Sequence, residues 1–138
     1  MSQTNELEIM ERIALDLERV EESLASSFNT GAEDFNALIR PLSAAGGKRL
    51  RAQLCLLIAN AGTSIERQRI KIAEAVEMLH LATLIHDDVL DQAEIRRGED
   101  TIHMHKGTTV AIISGDSLFA IAFKIVSVMT DMKYLQAF

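Results

Sequence analysis

The stretch MLHLATLIHDDVLD, residues 78–91, places three aspartates at the end of an otherwise apolar segment. As an α-helix it would carry apolar side chains over most of its circumference, so we expect other elements to surround it. Asp87 and Asp91 would lie one turn apart on one face, which His80 shares, and Asp88 about a quarter-turn away. The stretch therefore predicts a largely buried helix that carries an acidic cluster.

The composition of the 138-residue chain indicates a single all-α domain, residues 1–138. Hydrophobic residues make up 48% and aromatic residues only 4%, a balance that favours helices over sheets. The net charge of −6 argues against a non-specific nucleic-acid binder, which needs a basic surface. The one cysteine, Cys55, lies in an apolar run and is interpreted as a buried, unpaired thiol, which suits a reducing compartment.

We expect neither a secretory leader nor a transmembrane segment. The first residues are acidic where a signal peptide is basic, and no apolar core follows them. The longest apolar stretch, residues 110–129, is interrupted by Asp116 and Lys124, so we interpret it as a buried helix. A cytoplasmic location is expected.

The spacing of apolar residues predicts about five antiparallel helices. Their predicted ranges are 5–27, 32–42, 48–62, 64–91 and 108–131. Breaks are expected at Asn29–Gly31 and Gly46–Gly47. The polar connection 92–107 is longer than most links between bundle helices, so we expect it to be functional or disordered. The last residues, 133–138, carry no stop signal, and we expect the helices to belong to a larger bundle.

Two interpretations of the acidic cluster remain open at this point. Carboxylates on a desolvated helix need a cation, and an oxygen-only site favours Mg²⁺. Mg²⁺ prefers one or two carboxylates together with substrate phosphates. Alternatively, the helix end is solvated, and Arg96 or Arg97 serve as surface partners of the acids.

Basic residues occur before and after the acids. In GGKRLR, residues 46–51, Lys48 and Arg51 lie on one face of a predicted helix start, where the helix dipole disfavours cations. An anion there would receive both side chains and free backbone N–H groups, although such residues are usually just solvated. Arg96 and Arg97 form a second cluster. Further candidates, expected to face solvent, are His103, His105 and Lys106. Together these residues describe a site for two phosphorylated ligands, one bridged through Mg²⁺ and one bound directly.

These motifs resemble the N-terminal half of the trans-isoprenyl diphosphate synthases, the polyprenyl synthetase family. The matching pieces are GGKRLR, HLATLIHDDVLD, RRG and GDSLFA, at residues 46–51, 80–91, 96–98 and 115–120. The resemblance implies an all-α bundle of the isoprenoid synthase type. It also implies a Mg²⁺-dependent prenyltransferase that condenses isopentenyl diphosphate with an allylic diphosphate.

The resemblance further implies roles for individual residues. Asp87, Asp88 and Asp91 would form the catalytic first aspartate-rich motif, with Asp87 and Asp91 as the main Mg²⁺ ligands for the allylic diphosphate, which Arg96 would also contact. Isopentenyl diphosphate would be bound by Lys48, Arg51, His80 and Arg97. Ala82 and Thr83 stand where the family has the floor of its product pocket. Both are small, which implies a medium- or long-chain product.

The chain departs from the family at single positions and in extent. Ala52 and Asp100 stand where the family usually has proline. The second aspartate-rich motif of the family lies in a half that has no counterpart here. We therefore expect an oligomer, formed with itself or with a chain that carries the second motif. The alternative is a non-catalytic helical subunit that stabilises or regulates a full-length synthase, although intact DDVLD and RRG weigh against it.

Overall fold

The computed structural model describes residues 3–44, 47–62 and 65–129, with the side chains of the first helix from Leu7 onward. The described residues form six helices and one short hairpin, which confirms the predicted all-α class. The helices are α1 (Gln3–Ser27), α2 (Glu33–Ala44), α3 (Leu50–Asn60), α4 (Glu66–Leu90), α5 (Ile102–Lys106) and α6 (Thr108–Ser127). The hairpin pairs β1 (Ile95–Arg96) with antiparallel β2 (Glu99–Asp100).

All five predicted helices are present, and their ends lie within a few residues of the predicted ones. The break after α1 contains Gly31, whose φ of 80° is the left-handed conformation that glycine adopts readily. The first turn of α2 carries Glu33 and Asp34, which interact favourably with the positive end of the helix dipole. Predictions that concern Gly46, Ser64 and residues 130–138 fall outside the described residues.

The central element is α4, which packs against α6, α3 and α1. Its buried face combines small and medium apolar side chains, among them Ala73, Met78, Ala82 and Ile85. The neighbouring helices contribute the fully buried Val20, Leu24, Leu56 and Leu118. Burying one large aliphatic side chain stabilises a fold by about 1.5–3 kcal/mol, so this core fixes the position of α4.

Buried acids fix the register of α1 on α4. Asp16 is 1% exposed and lies 2.7 Å from Nε of Arg69. The fully buried Glu74 accepts hydrogen bonds from Lys71 Nζ at 2.8 Å and from Ser23 Oγ at 2.6 Å. A buried carboxylate without partners would be strongly destabilising, so sliding α1 along α4 is unfavourable.

Only one face of α6 is buried, against α4. Leu118 and Ala122 are fully buried on that face, whereas Ile113 and Phe123 are 58% and 44% exposed. The predicted buried helix is therefore buried on one side only, since 33% of its apolar window lies inside the described chain. By length and composition alone, α6 is also the one described helix that could cross a membrane, a test that core helices of soluble proteins pass as well.

The connection between α4 and α6 is ordered rather than disordered. Thr101 is 2% exposed, donates through Oγ1 to the carbonyl oxygen of Ala93 at 2.8 Å, and donates through its N–H to that of Glu94 at 2.9 Å. Ile102 joins the hydrophobic core. These two residues anchor the hairpin and α5 to the bundle, so of the two expectations for this connection, function or disorder, disorder does not apply.

Candidate functional site

A groove of about 1060 Å³ runs along α4, bordered by α2, the start of α3, the hairpin and α5. Its volume is at the upper end of the range for small-molecule sites. On the α4 side its wall is apolar and includes Leu81, Leu84 and Ile85. Five residues predicted to bind diphosphate line the same groove: Lys48, Arg51, His80, Arg96 and Arg97. The fold thus gathers cations from separate segments beside an apolar wall, as an amphiphilic anion requires.

The three basic residues of GGKRLR differ in their surroundings: Arg49 binds other residues of the chain, whereas Lys48 and Arg51 are exposed. The guanidinium of Arg49 lies 2.6 Å from Glu21 Oε1 through Nε, and its Nη2 donates to the carbonyl oxygen of Ser43 at 2.8 Å. Burial opposes its charge, but Glu21 and Glu77 outweigh burial and raise the pKa of Arg49. Arg49 is thus engaged within the chain, whereas Lys48 and Arg51 are exposed at the groove.

The start of α3 is capped by a side chain from another helix. Glu77 of α4 is 6% exposed, and its Oε1 accepts a hydrogen bond from the Ala52 N–H at 3.0 Å. The sequence predicted free N–H groups here for an anion, but the chain's own carboxylate already binds one of them. An anionic ligand at this place must therefore rely mainly on side chains.

The RRG motif forms the turn of the hairpin. Arg97 has a φ of 54° and Gly98 a φ of 86°, as in a two-residue type I′ turn, where both central residues have positive φ. This conformation is unfavourable for arginine. A Cβ atom on Gly47 would lie 3.3 Å from Arg97 Nη2, so Gly47 leaves room for that guanidinium. GGKRLR and RRG therefore meet at the groove.

Asp88 is the buried member of the acidic cluster. It is 6% exposed, and its Oδ1 lies 2.7 Å from both Nε and Nη2 of Arg96. The arginine partner of the alternative interpretation is therefore observed for Asp88, but this carboxylate is buried and not at a solvated helix end. Both members of the pair line the groove.

Asp87 and Asp91 are exposed, and neither lines the groove. No salt bridge joins them to other residues in the described part of the chain. The argument that burial forces a cation onto the acids is thus wrong for these two, because water solvates them. Two exposed carboxylates one turn apart do fit the oxygen-ligand preference of Mg²⁺. Across residues 7–44, 47–62 and 65–129 no cluster of three or more His, Cys, Asp or Glu could hold a metal, so Mg²⁺ here would also need ligand oxygens from elsewhere, such as a diphosphate.

His80 lies in the cationic part of the groove. Burial and the charge of Arg51, with smaller effects of Arg97 and Arg96, lower the pKa of His80, while Glu77 acts in the opposite direction. The ring is therefore neutral at pH 7 before an anion binds. Asp87, predicted to share its helical face, lies outside the groove lining.

The two predicted product-pocket residues have different surroundings. Ala82 is fully buried in the core, whereas Thr83 is exposed and donates through Oγ1 to the carbonyl oxygen of His80 at 2.7 Å. Neither lines the groove. The structure thus brings Thr83, but not Ala82, to the exposed side of α4 that carries Asp87.

His86, to which the sequence analysis assigned no role, packs on the GDSLFA segment. Its Nε2 lies 3.2 Å from the carbonyl oxygen of Ile112 and 3.5 Å from Asp116 Oδ1, and its ring centroid is 5.6 Å from that of Phe119. A Cβ atom on Gly115 would lie 2.2 Å from Nε2. The glycine, the acid and the aromatic residue of GDSLFA therefore surround the residue that precedes Asp87.

Three groove residues, Glu77, His105 and Lys106, were not expected at the groove from the sequence. Glu77 gave no signal beyond its position one turn before His80, because an acid between apolar residues is normally assigned to the surface. His105 and Lys106 were expected to face solvent, but both line the groove. His103 instead lies with Nδ1 3.0 Å from Thr101 Oγ1.

The sequence matches the polyprenyl synthetase family over residues 32–138. The chain belongs to this family. Among curated polyprenyl synthetase relatives, solanesyl diphosphate synthase 1 (chloroplastic) of Arabidopsis thaliana is 36% identical over 118 residues, which cover 81% of this chain and 29% of that protein. Geranylgeranyl pyrophosphate synthase of Geoglobus acetivorans is 42% identical over 123 residues, which cover 89% of this chain and 37% of that protein. The chain therefore spans about a third of the length of these relatives.

A solved polyprenyl synthase confirms the fold. The crystal structure of the enzyme from Caulobacter crescentus CB15, complexed with calcium and isoprenyl diphosphate, superposes with a TM-score of 0.86 at 35% identity. The match covers 93% of this chain and 39% of that one. The helical bundle of the isoprenoid synthase type, predicted from the motifs, is therefore present.

Proposed function

We propose that this chain, as a single domain of residues 1–138, is the N-terminal part of a trans-polyprenyl diphosphate synthase. The synthase condenses isopentenyl diphosphate with an allylic diphosphate. The observation that carries the proposal is the groove, where Lys48, Arg51, His80, Arg96 and Arg97 meet beside an apolar wall. Membership of the polyprenyl synthetase family supports the same reaction class.

In this proposal Lys48, Arg51, His80 and Arg97 bind isopentenyl diphosphate. Lys48 and Arg51 are exposed side chains at the start of α3, and the room that Gly47 leaves brings Arg97 next to them. Arginine suits this task because its planar fork of donors matches diphosphate oxygens. The neutral His80 can donate one hydrogen bond, and an anion beside it would favour its protonation.

In this proposal the allylic diphosphate lies at the C-terminal end of α4, where Arg96 lines the groove and Asp87 and Asp91 are exposed beside it. Asp87 and Asp91 would hold Mg²⁺, which when bound neutralises charge on the leaving diphosphate. Arg96 contacts the same diphosphate. Asp88, the middle acid of the catalytic motif, binds the guanidinium of Arg96 and fixes its position. Leu81, Leu84 and Ile85 exclude water from the hydrocarbon, which protects a cationic allylic group from hydrolysis.

The product is proposed to be a medium- or long-chain polyprenyl diphosphate. Thr83 is a small side chain on the exposed side of α4 that carries Asp87, so it leaves space there for a growing chain, whereas Ala82 is buried in the core of the described residues. The names of two relatives state solanesyl and geranylgeranyl products for those proteins.

We also propose that a partner completes the site, either a second copy or a chain with the second aspartate-rich motif. Apolar side chains remain exposed on several helices, among them Leu54 and Ile58 on α3 and Ile113 and Phe123 on α6. Soluble monomers rarely leave so much apolar surface exposed. The cytoplasm is the proposed location, and fractionation of cells that express the chain tests it.

The test is incorporation of labelled isopentenyl diphosphate by the purified chain with Mg²⁺ and farnesyl diphosphate, together with calorimetric titration of inorganic diphosphate. We expect Mg²⁺-dependent diphosphate binding that Asp87→Ala abolishes and that Glu33→Ala, an exposed acid of α2, leaves unchanged. Turnover by the chain alone would show that self-association completes the site. A chain that binds no diphosphate with Mg²⁺ present would contradict the proposal.

A further inference from the structure

Glu77 is a buried carboxylate of the groove to which the proposed function gives no task. It is 6% exposed and lines the groove three residues before His80 on α4. Its charge is unfavourable for any anion bound nearby. A negative side chain in a groove built for diphosphates therefore needs another explanation, and its contacts supply one.

The contacts of Glu77 converge on the start of α3. Oε1 accepts the Ala52 N–H at 3.0 Å, and Oε2 lies 3.6 Å from Nη1 of Arg49. Arg49 is the N-cap residue of α3 and provides no capping side chain, so the first-turn N–H groups need an acceptor from elsewhere. Glu77 is that acceptor, and it links the first turn of α3 to the turn of α4 that carries His80.

This link acts on the residues that flank the capped turn. Lys48 and Arg51 are both exposed, and both belong to the segment that the Glu77 contacts hold. Long cationic side chains lose conformational freedom when they bind an anion, so fixing the backbone that carries them reduces that loss.

We propose that Glu77 is a positioning residue for the isopentenyl diphosphate site: its hydrogen bond to Ala52 fixes Lys48 and Arg51 relative to His80. The inference rests on the proposed function, because it concerns the diphosphate that those residues bind. It attributes the effect to the contact of the carboxylate and not to its charge.

Two conservative variants separate the contact from the charge. Glu77→Asp keeps the charge but is one methylene shorter, so its carboxylate no longer reaches the Ala52 N–H. Glu77→Gln keeps the length and a carbonyl acceptor but removes the charge. In calorimetric titrations of the full chain with isopentenyl diphosphate in the absence of Mg²⁺, which report the directly bound diphosphate, we expect Glu77→Asp to weaken binding about tenfold. Glu77→Gln should stay within about twofold of the unaltered chain or bind more tightly. The opposite order would overturn the inference.

Glu74 provides the matched control. It is a buried carboxylate one turn earlier on α4, and its partners lie on α1 and α4, away from the groove. Glu74→Asp and Glu74→Gln should lower the thermal midpoint without changing diphosphate affinity. If Glu74→Asp weakened binding as much as Glu77→Asp at an equal loss of stability, general destabilisation would account for both, and Glu77 would have no positioning role.

Hydrogen exchange of the unaltered chain tests the same contact without any variant. We expect the Ala52 amide to exchange more slowly than the amides of Leu50 and Arg51 in the same turn. Equal exchange at the three positions would overturn the inference even if the variants fail to fold. Absence of diphosphate binding by the unaltered chain is a different result, because it overturns the proposed function itself.

Discussion

Asp88 and Arg96 form a close ion pair, in which Asp88 Oδ1 lies 2.7 Å from both Nε and Nη2 of Arg96 and Oδ2 lies 2.9 Å from Nε. The carboxylate is nearly buried, whereas the arginine side chain is 33% exposed. The pair joins the end of α4 to β1, so it ties the hairpin to the helix that carries the acidic motif.

Removing the arginine should destabilise the fold, because it leaves a buried carboxylate without its cation. We expect Arg96→Met to lower the free energy of unfolding by about 2 kcal/mol, less than for a fully buried pair since Arg96 is partly solvated. Urea denaturation measures the change. Adding Asp88→Asn should restore part of the loss, and Asp87→Asn, an exposed acid, should change stability by less than about 0.5 kcal/mol. If adding Asp88→Asn to Arg96→Met restored none of the lost stability, this account would be contradicted.

Gly115 should tolerate no side chain while His86 is present. A Cβ atom at Gly115 would lie 2.2 Å from Nε2 of His86, so the ring would have to leave its contacts with the Ile112 carbonyl oxygen and with Phe119. We expect Gly115→Ala to cost about 1–3 kcal/mol in thermal unfolding experiments. In a His86→Ala background the same substitution should cost much less. An unchanged cost in that background would show that the strain lies elsewhere.

Arg97 should lower the stability of the hairpin turn while contributing to diphosphate binding. Its φ of 54° is unfavourable for arginine and suits asparagine, which type I′ turns prefer. We expect Arg97→Asn to stabilise the fold by about 0.5–1 kcal/mol and to weaken the binding of isopentenyl diphosphate. Gly98→Ala serves as the opposite control, since Gly98 has a φ of 86° and alanine there should destabilise. An Arg97→Asn chain that is less stable than the parent would contradict the turn assignment.

His80 should make both stability and diphosphate binding depend on pH. Burial and Arg51, with Arg97 and Arg96, lower its pKa below the usual 6.5 despite the opposing charge of Glu77. The unfolded chain then binds more protons than the folded one below about pH 6.5, so stability should fall as the pH is lowered through this range. Diphosphate favours the protonated ring, so its binding should tighten over the same range. Denaturation and titration between pH 5 and 8 measure both effects, and His80→Gln should flatten both profiles.

Helix positions were predictable from the sequence because the apolar spacing is regular. The stripe of α1 and the long apolar face of α4 gave ends close to those observed. The hairpin was not predictable, since β1 and β2 are two residues each and Arg97 is an unusual residue for a left-handed turn position. Burial of Thr101 and Ile102 orders that connection, and neither burial follows from local sequence.

The site was predictable in its members but not in their partners. The motifs identified most of the cations and acids at the groove. The pairing of Asp88 with Arg96 could not be predicted, because Asp88 points about a quarter-turn away from Asp87 on α4 and because the hairpin brings Arg96 to that side. Ala52 stands where the family usually has proline, and the structure gives this difference a physical consequence. The N–H of Ala52 donates a hydrogen bond to Glu77, which a proline could not donate because it has no N–H. Such contacts between distant segments carry no periodic signal.

The two buried carboxylates of the groove, Glu77 and Asp88, sit on one uninterrupted helix, eleven residues apart. At the rise of an α-helix they are separated by about 16 Å, a length that no loop can adjust. Because Glu77 contacts Arg49 and Asp88 contacts Arg96, α4 fixes the distance between the places where these two arginines are bound. Inserting or deleting a single residue between them would rotate one end by about 100° relative to the other, so this part of the chain can evolve by substitution but not by changes in length.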